Sequence, residues 1–193
     1  FPKLWAGCRV QELALPELGR KACERLVQQV LGRDVAPDVV ARVVSQSAGN
    51  ALFLEELIRA AGDGDLGAQP DTVLAMLQAR LGRLEPAARR VARAASVFGQ
   101  TFWVEGVARV LGQAHGAEGV ERGLGALVDA EVIEAHPTSR LTGQEEYGFR
   151  HALVRDAAWS LMLEGDRVAG HRQAGLFLEH AGERDAMILA EHA

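Results

Sequence analysis

Two places along the chain combine residue types and spacing that chemistry could use. The first is Ser47-Ala48-Gly49-Asn50-Ala51-Leu52-Phe53-Leu54-Glu55-Glu56-Leu57. Val39, Val40, Val43, Val44 and Ser47 before it share one helical face, and Phe53, Leu54, Leu57, Ile58 and Ala61 after it share another. Gly49 has no Cβ and suits the left-handed conformation that ends the first helix. Asn50 can cap the second helix through its side-chain oxygen. Backbone N–H groups at the start of that helix would then point at one place, which suits an anion or the polar edge of a ligand. A plain corner between packed helices uses the same residues. The second place is His151, in Tyr147-Gly148-Phe149-Arg150-His151-Ala152-Leu153-Val154-Arg155-Asp156, where a strand hands over to a helix. A ring N–H there can reach into a neighbouring cleft, and its charge can change near neutral pH. A capping or core-edge histidine is the other reading.

Other chemistry is missing. The remaining histidines, His115, His136, His171, His180 and His192, have no metal-ligand spacing with His151. There is no glycine-rich phosphate loop ending in Lys-Ser or Lys-Thr, no nucleophile elbow and no metalloprotease signature, so no complete catalytic site is visible. Asp63 and Asp65 fall in a glycine-rich stretch without the later ligands and closing glutamate of a calcium loop. Arg89, Arg90 and Arg93 lie off the apolar stripe of their helix, as a solvated face or a place for a phosphate or acidic partner.

The elements that would carry these residues follow from the apolar pattern. The 193 residues allow one large or two small domains, and 48% hydrophobic with 24% charged residues is the balance of an ordinary globular protein. A net charge of −5 argues against a surface built to neutralise phosphates. No apolar run is long enough to span a bilayer, and no signal peptide is visible. Cys8 and Cys23 make neither a disulfide framework nor a zinc site, which fits a reducing, cytoplasmic setting. Val10 to Leu15 reads as one short strand ended by Pro16, in need of partners from elsewhere. Helices follow: Leu18, Ala22, Leu26, Val27, Val30 and Leu31 share a face up to Gly32, and Pro37-Asp38 opens the next. After the corner, residues 61–69 form a loop, and Pro70-Asp71 begins a helix with Val73, Leu74, Leu77, Leu81 and Leu84 inside.

From Pro86 the order is helix to Phe98, short helix over 104–111, third helix over 119–129, then strands over 132–135 and 145–150 joined by a polar loop. Three helices and a two-stranded wing make a winged-helix arrangement. Its third helix would be the DNA reader, yet Glu118, Glu121, Asp129 and Glu131 stand near it against a single Arg122. That sign is wrong for a phosphate-lined groove, so the wing is expected to pack against protein. A helix after His151 is expected to bury Leu153, Val154, Ala157, Leu161 and Trp159. From Asp166 the pattern is helical again, through Val168, Leu176, Phe177 and Leu178 to Met187, Ile188 and Leu189.

Together the motifs resemble those of STAND-type signalling ATPases, the bacterial relatives of the NB-ARC and NACHT proteins within the AAA+ class. Ala48 to Leu57 resembles the family's Gly-Asn-Pro-Leu-Phe-Leu-Glu-Glu-Leu signature. Phe149-Arg150-His151-Ala152-Leu153-Val154-Arg155-Asp156 is similar to its Phe-x-His-x-Leu-x-Arg-Glu motif, and Leu77 to Leu84 matches the linking stretch in style. The resemblance implies a mainly α fold. Residues 1–16 would end a nucleotide-binding domain, 17–84 would form a helical lid, 85–164 a winged helix, and 165–193 the start of a TPR-like helical array. It implies that Gly49, Asn50 and Ala51 line the adenine and sugar side of ADP or ATP, and that His151 reaches the β-phosphate. The phosphate loop and the magnesium-binding acid would belong to a domain N-terminal to this chain. Where the family carries proline, Ala51 stands here, so that proline's flat contact with the base is missing. Relatives are fused to serine/threonine kinase or cyclase modules in large regulators. The chain itself would not be an enzyme, and its parent would be an ATPase with protein partners, no nucleic acid and no membrane. The competing expectations are a DNA-binding winged-helix regulator and a nucleotide-independent interaction scaffold.

Overall fold

A computed structural model describes residues 14–64, 72–112 and 116–192. Among them are ten helices and one small sheet, a mainly α fold with a wing. The chain forms two compact units, Phe1–Gln69 and Pro70–Ala193. The strand expected over Val10–Leu15 falls mostly outside the described residues; Ala14 and Leu15 are exposed and belong to no regular element.

The first unit is a trio of helices: α1 (Arg20–Leu31), α2 (Pro37–Ser47) and α3 (Ala51–Gly62). Gly32, with φ 94°, ends α1, and Pro37 starts α2 where its missing N–H costs nothing. The core is Cys23, Val27, Val40, Val43, Leu54 and Leu57 with their neighbours. Leu26 and Val30 were expected on the inner face of α1 but are exposed, and Cys23 takes the inner position with Val27. A narrow stripe one turn wide is enough, because α1 meets α2 and α3 along a single seam. α3 runs to Gly62, two residues into the expected loop, and Asp63 caps it; Asp65 lies outside the described residues.

The second unit begins with α4 (Val73–Arg83), capped by the Thr72 hydroxyl, which accepts from the Ala75 N–H at 3.2 Å. The expected start at Pro70-Asp71 lies outside the described residues. α4 turns Met76, Leu77 and Leu81 inward, leaves Leu74 exposed, and packs on α8 (Ala152–Ser160). Then come α5 (Pro86–Ser96), β1 (Thr101–Trp103), α6 (Val104–Leu111), α7 (Gly116–Asp129), β2 (Ile133–Ala135) and β3 (Glu146–Phe149). The sheet has the order β1-β3-β2 and is antiparallel throughout, pairing Phe102 with Tyr147 and Ile133 with Phe149. The wing therefore has a third strand, β1, which was not expected. Three residues are too few for alternation to show, and Phe102 and Trp103 are both buried.

α5 is the central helix, in contact with α6, α7 and α8. Its approach to α7 needs Gly123, where a Cβ would sit 2.5 Å from Val91 Cγ2 and 3.1 Å from the Ala87 carbonyl oxygen. Beyond α8 run α9 (Glu164–His180) and α10 (Ala186–Glu191). Phe98, Trp103 and Phe177 join the sheet side to α9 through edge contacts, with Phe98 5.9 Å from Phe177 at 89° and 6.1 Å from Trp103 at 83°. Aromatic pairs of this kind add about 0.5–1.5 kcal/mol beyond the area they bury. Val154 and Ala157 are buried as expected, but Leu153, Leu161, Val168, Leu176 and Met187 are exposed.

Candidate functional site

The corner at Gly49 is built by two consecutive left-handed residues. Ala48, not Gly49, is the residue that ends α2, at φ 46° and ψ 30°; Gly49 follows at φ 81°. An alanine in this region costs roughly 1–2 kcal/mol, so the corner is held by what surrounds it. Gly49 O accepts from the Leu18 N–H at 2.9 Å, and a Cβ on Gly49 would lie 2.7 Å from Leu18 O. Glycine is thus required twice, by its φ and by the segment that leads into α1. Asn50 caps α3: its Oδ1 accepts from the Phe53 N–H at 2.9 Å, and its own N–H donates to Ser47 O at 2.8 Å. The cap uses one of the donors expected to face a ligand, leaving the N–H groups of Ala51 and Leu52 at the tip.

A cleft of about 250 Å³ opens beside the corner, lined by Leu18, Arg20, Cys23, Val44, Ser45, Ala48 and Gly49 among others. It is smaller than the ~300–1,000 Å³ of a complete small-molecule site, so it would take one part of a ligand. Its single guanidinium, Arg20, also pairs with Glu24 at 2.9 Å. Of the expected contacts, Gly49 lines this cleft; Asn50 and Ala51 are exposed on the α3 side of the corner.

His151 belongs to the second unit. It occupies the N-cap position of α8 with extended backbone, its carbonyl accepts from Val154 at 3.0 Å, and its side chain makes no capping bond. The ring is exposed, so neither expected structural role, capping nor core edge, describes its side chain. Next to it, Arg150 reaches Glu131 at 3.4 Å and Arg155 reaches Asp156 at 2.8 Å.

Two polar clusters had no sequence signal. In the wing, the buried Glu146 carboxylate accepts from Trp103 Nε1 at 3.1 Å, Ser139 Oγ at 3.2 Å and the Arg140 N–H at 2.7 Å, and meets His136 Nδ1 at 2.8 Å. Burial works to raise this carboxyl, but the bonds from His136, Arg140, Ser139 and Trp103 outweigh it and hold it below the usual carboxylate range. With three donors on Oε2 and His136 on Oε1, the cluster is a clamp that ties β1, β3 and the wing loop together. The second cluster pairs His171 on α9 with His192 after α10, Nδ1 to Nδ1 at 3.0 Å. Burial pushes both imidazoles below the ordinary histidine range, and their mutual repulsion adds to this at His192. Two neutral rings sharing one proton explain the distance, with one donating and the other accepting. Trp103 lies 43 residues from Glu146 and His171 lies 21 from His192, while His136, Ser139 and Arg140 reach Glu146 only through the fold of the wing loop, and periodicity registers neither.

Among the described residues no three metal-ligating side chains gather, and no helix is long and apolar enough to cross a membrane. The exposed side of α7 shows Glu118, Glu121 and Asp129 against Arg122, the acidic balance expected from the sequence. Compared with known proteins, the chain matches no family model, no curated protein and no solved structure.

Proposed function

We propose that this chain is the lid and winged-helix portion of a bacterial, cytoplasmic signalling ATPase of the STAND type, and that it works as a nucleotide-dependent switch. The observation that carries this reading is the corner: the motif around Gly49 folds into a helix reversal whose glycine lines a cleft sized for part of a ligand. Support also comes from His151, an exposed residue that the second motif sets at a strand-to-helix junction. In this reading ADP or ATP, with magnesium, is held mainly by a phosphate-binding domain N-terminal to the chain. Gly49, Asn50 and Ala51 border the base and sugar, and His151 meets the β-phosphate. A closed state that contacts ADP better than ATP is favoured until exchange, and the shift is limited by that difference in affinity. Because Ala51 replaces proline, the base would rest on the cleft wall near Ala48 and Gly49 rather than on a proline ring.

Coding sequence upstream of Phe1 tests this directly. A phosphate loop followed by an acid-ended strand within roughly 100–200 residues is the expected finding; a start codon beside Phe1 would refute the switch. A DNA-binding role is disfavoured by the acidic face of α7, and the absence of salt-sensitive binding to duplex DNA at low ionic strength is the expected result.

A further inference from the structure

We propose that the face of α5 in the second unit is a docking groove for an acidic peptide segment flanked by apolar side chains. α5 carries Arg89, Arg90 and Arg93 and no aspartate or glutamate. Three arginines on other helices meet a carboxylate four residues away: Arg20 with Glu24, Arg59 with Glu55 and Arg109 with Glu105. Arg89 donates to the Gly82 carbonyl at 3.1 Å. Arg90 and Arg93 are half-buried, and neither guanidinium has a hydrogen-bond or ion-pair partner among the described residues. No nitrogen of either guanidinium is shut off from water, so both present a positive charge at the groove surface on half-buried stems, and a carboxylate can be gripped there through two parallel bonds.

The space around these arginines has a direction. A cavity of about 390 Å³ lies toward the start of α5, with Leu81, Pro86, Ala158 and Leu161 in its wall. A second, of about 240 Å³, lies toward the end of α5, with Val110, Met162 and Gly170 in its wall and Asp166 as its one acid. Arg90 and Arg93 line both. The site is therefore apolar at each end and cationic in the middle. From Pro86 to Ala94 the helix rises about 12 Å, which an extended peptide covers with about four residues. A compact anion such as phosphate would satisfy the arginines and leave both apolar ends unused, so the pattern favours a peptide of the order apolar, acidic, acidic, apolar.

The test is fluorescence anisotropy of a labelled Ala-Leu-Glu-Asp-Leu-Ala peptide on the full chain, at low salt. Saturable binding is expected, weakened at least about tenfold by the double variant Arg90→Glu/Arg93→Glu and less by Arg90→Gln/Arg93→Gln. Exchanging the two peptide leucines for alanine should weaken binding about three- to tenfold. Circular dichroism melts of both variants check that they stay folded; these side chains are partly exposed, so they should. Three results would overturn the proposal: no saturable binding, equal binding by either arginine variant, or equal binding by the alanine peptide. Displacement by pyrophosphate as effective as by unlabelled peptide would overturn it too, since the apolar ends would then contribute nothing.

Discussion

The corner at Gly49 and the clamp at Glu146 hold polar groups in opposite ways. At the corner, Ala48, Gly49 and Asn50 turn the chain within three residues, and nearly all the bonding is to neighbouring backbone. In the wing, one carboxylate gathers donors from Trp103, His136, Ser139 and Arg140, spread over forty-three residues of sequence between Trp103 and Glu146. The corner stores backbone strain and leaves a cleft open beside it. The clamp leaves nothing open. A polar cluster whose members satisfy one another is a support, and the place to look for a ligand is where geometry is strained or charge is left unanswered.

Breaking the corner should have the larger effect. Gly49→Ala adds a disfavoured φ, at roughly 1–2 kcal/mol, to a clash with Leu18 O that costs about 1–3 kcal/mol. A loss of about 3 kcal/mol in urea unfolding is expected. Breaking the clamp with Glu146→Gln replaces charged hydrogen bonds by neutral ones and should cost about 2 kcal/mol. The same substitution should flatten the acid limb of the stability curve. Because the folded Glu146 carboxyl is held below its ordinary value of 4.5, its contribution is present above that pH and is lost as pH falls through the lower, folded value. Ala48→Gly sharpens the comparison from the other side: relieving the left-handed alanine should stabilise the first unit by up to about 1 kcal/mol. The smallest effect is expected at the His171–His192 pair. Both rings are held below 6.5, so an unfolded histidine takes up its proton first, and stability is full above that pH and declines beneath it. His192→Phe should remove the His192 share of this decline between about pH 6.5 and 5 and leave the share of His171, whose lowering comes first from burial. Melts across that window measure this, and the Glu146 limb lower down should stay intact.

What the sequence made legible was local. The ends of α1 at Gly32 and of α2 at Pro37 and Ser47, the Asn50 cap, and the order of helices and wing strands all follow from periodicity and from residues that favour caps. The resemblance drew attention to Gly49 and His151, and both occupy turns between elements. Gly49 takes a positive φ as expected, but the helix already ends one residue earlier at a left-handed Ala48, which nothing intrinsic to alanine announces. β1 was missed because it exists only by pairing with β3, and the exposed Leu161, Val168 and Leu176 because a helical stripe does not say how much of itself a neighbour covers. The unpaired state of Arg90 and Arg93 was equally out of reach: their position off the apolar stripe is visible in sequence, but that Asp166 shares their groove without pairing with either depends on how α5 and α9 pack.

The switch is tested most directly by the rate at which ADP leaves the protein made from the whole reading frame, followed with a fluorescent ADP analogue, in wild type and in His151→Ala. Urea melts of both proteins, run alongside, separate a change in fold stability from a change at the nucleotide. If His151 meets the β-phosphate, release should accelerate by about tenfold or more, the loss of one charge-assisted hydrogen bond. An unchanged rate in a protein that holds ADP would contradict the role given to His151 and, with it, the nucleotide contact on which the switch depends.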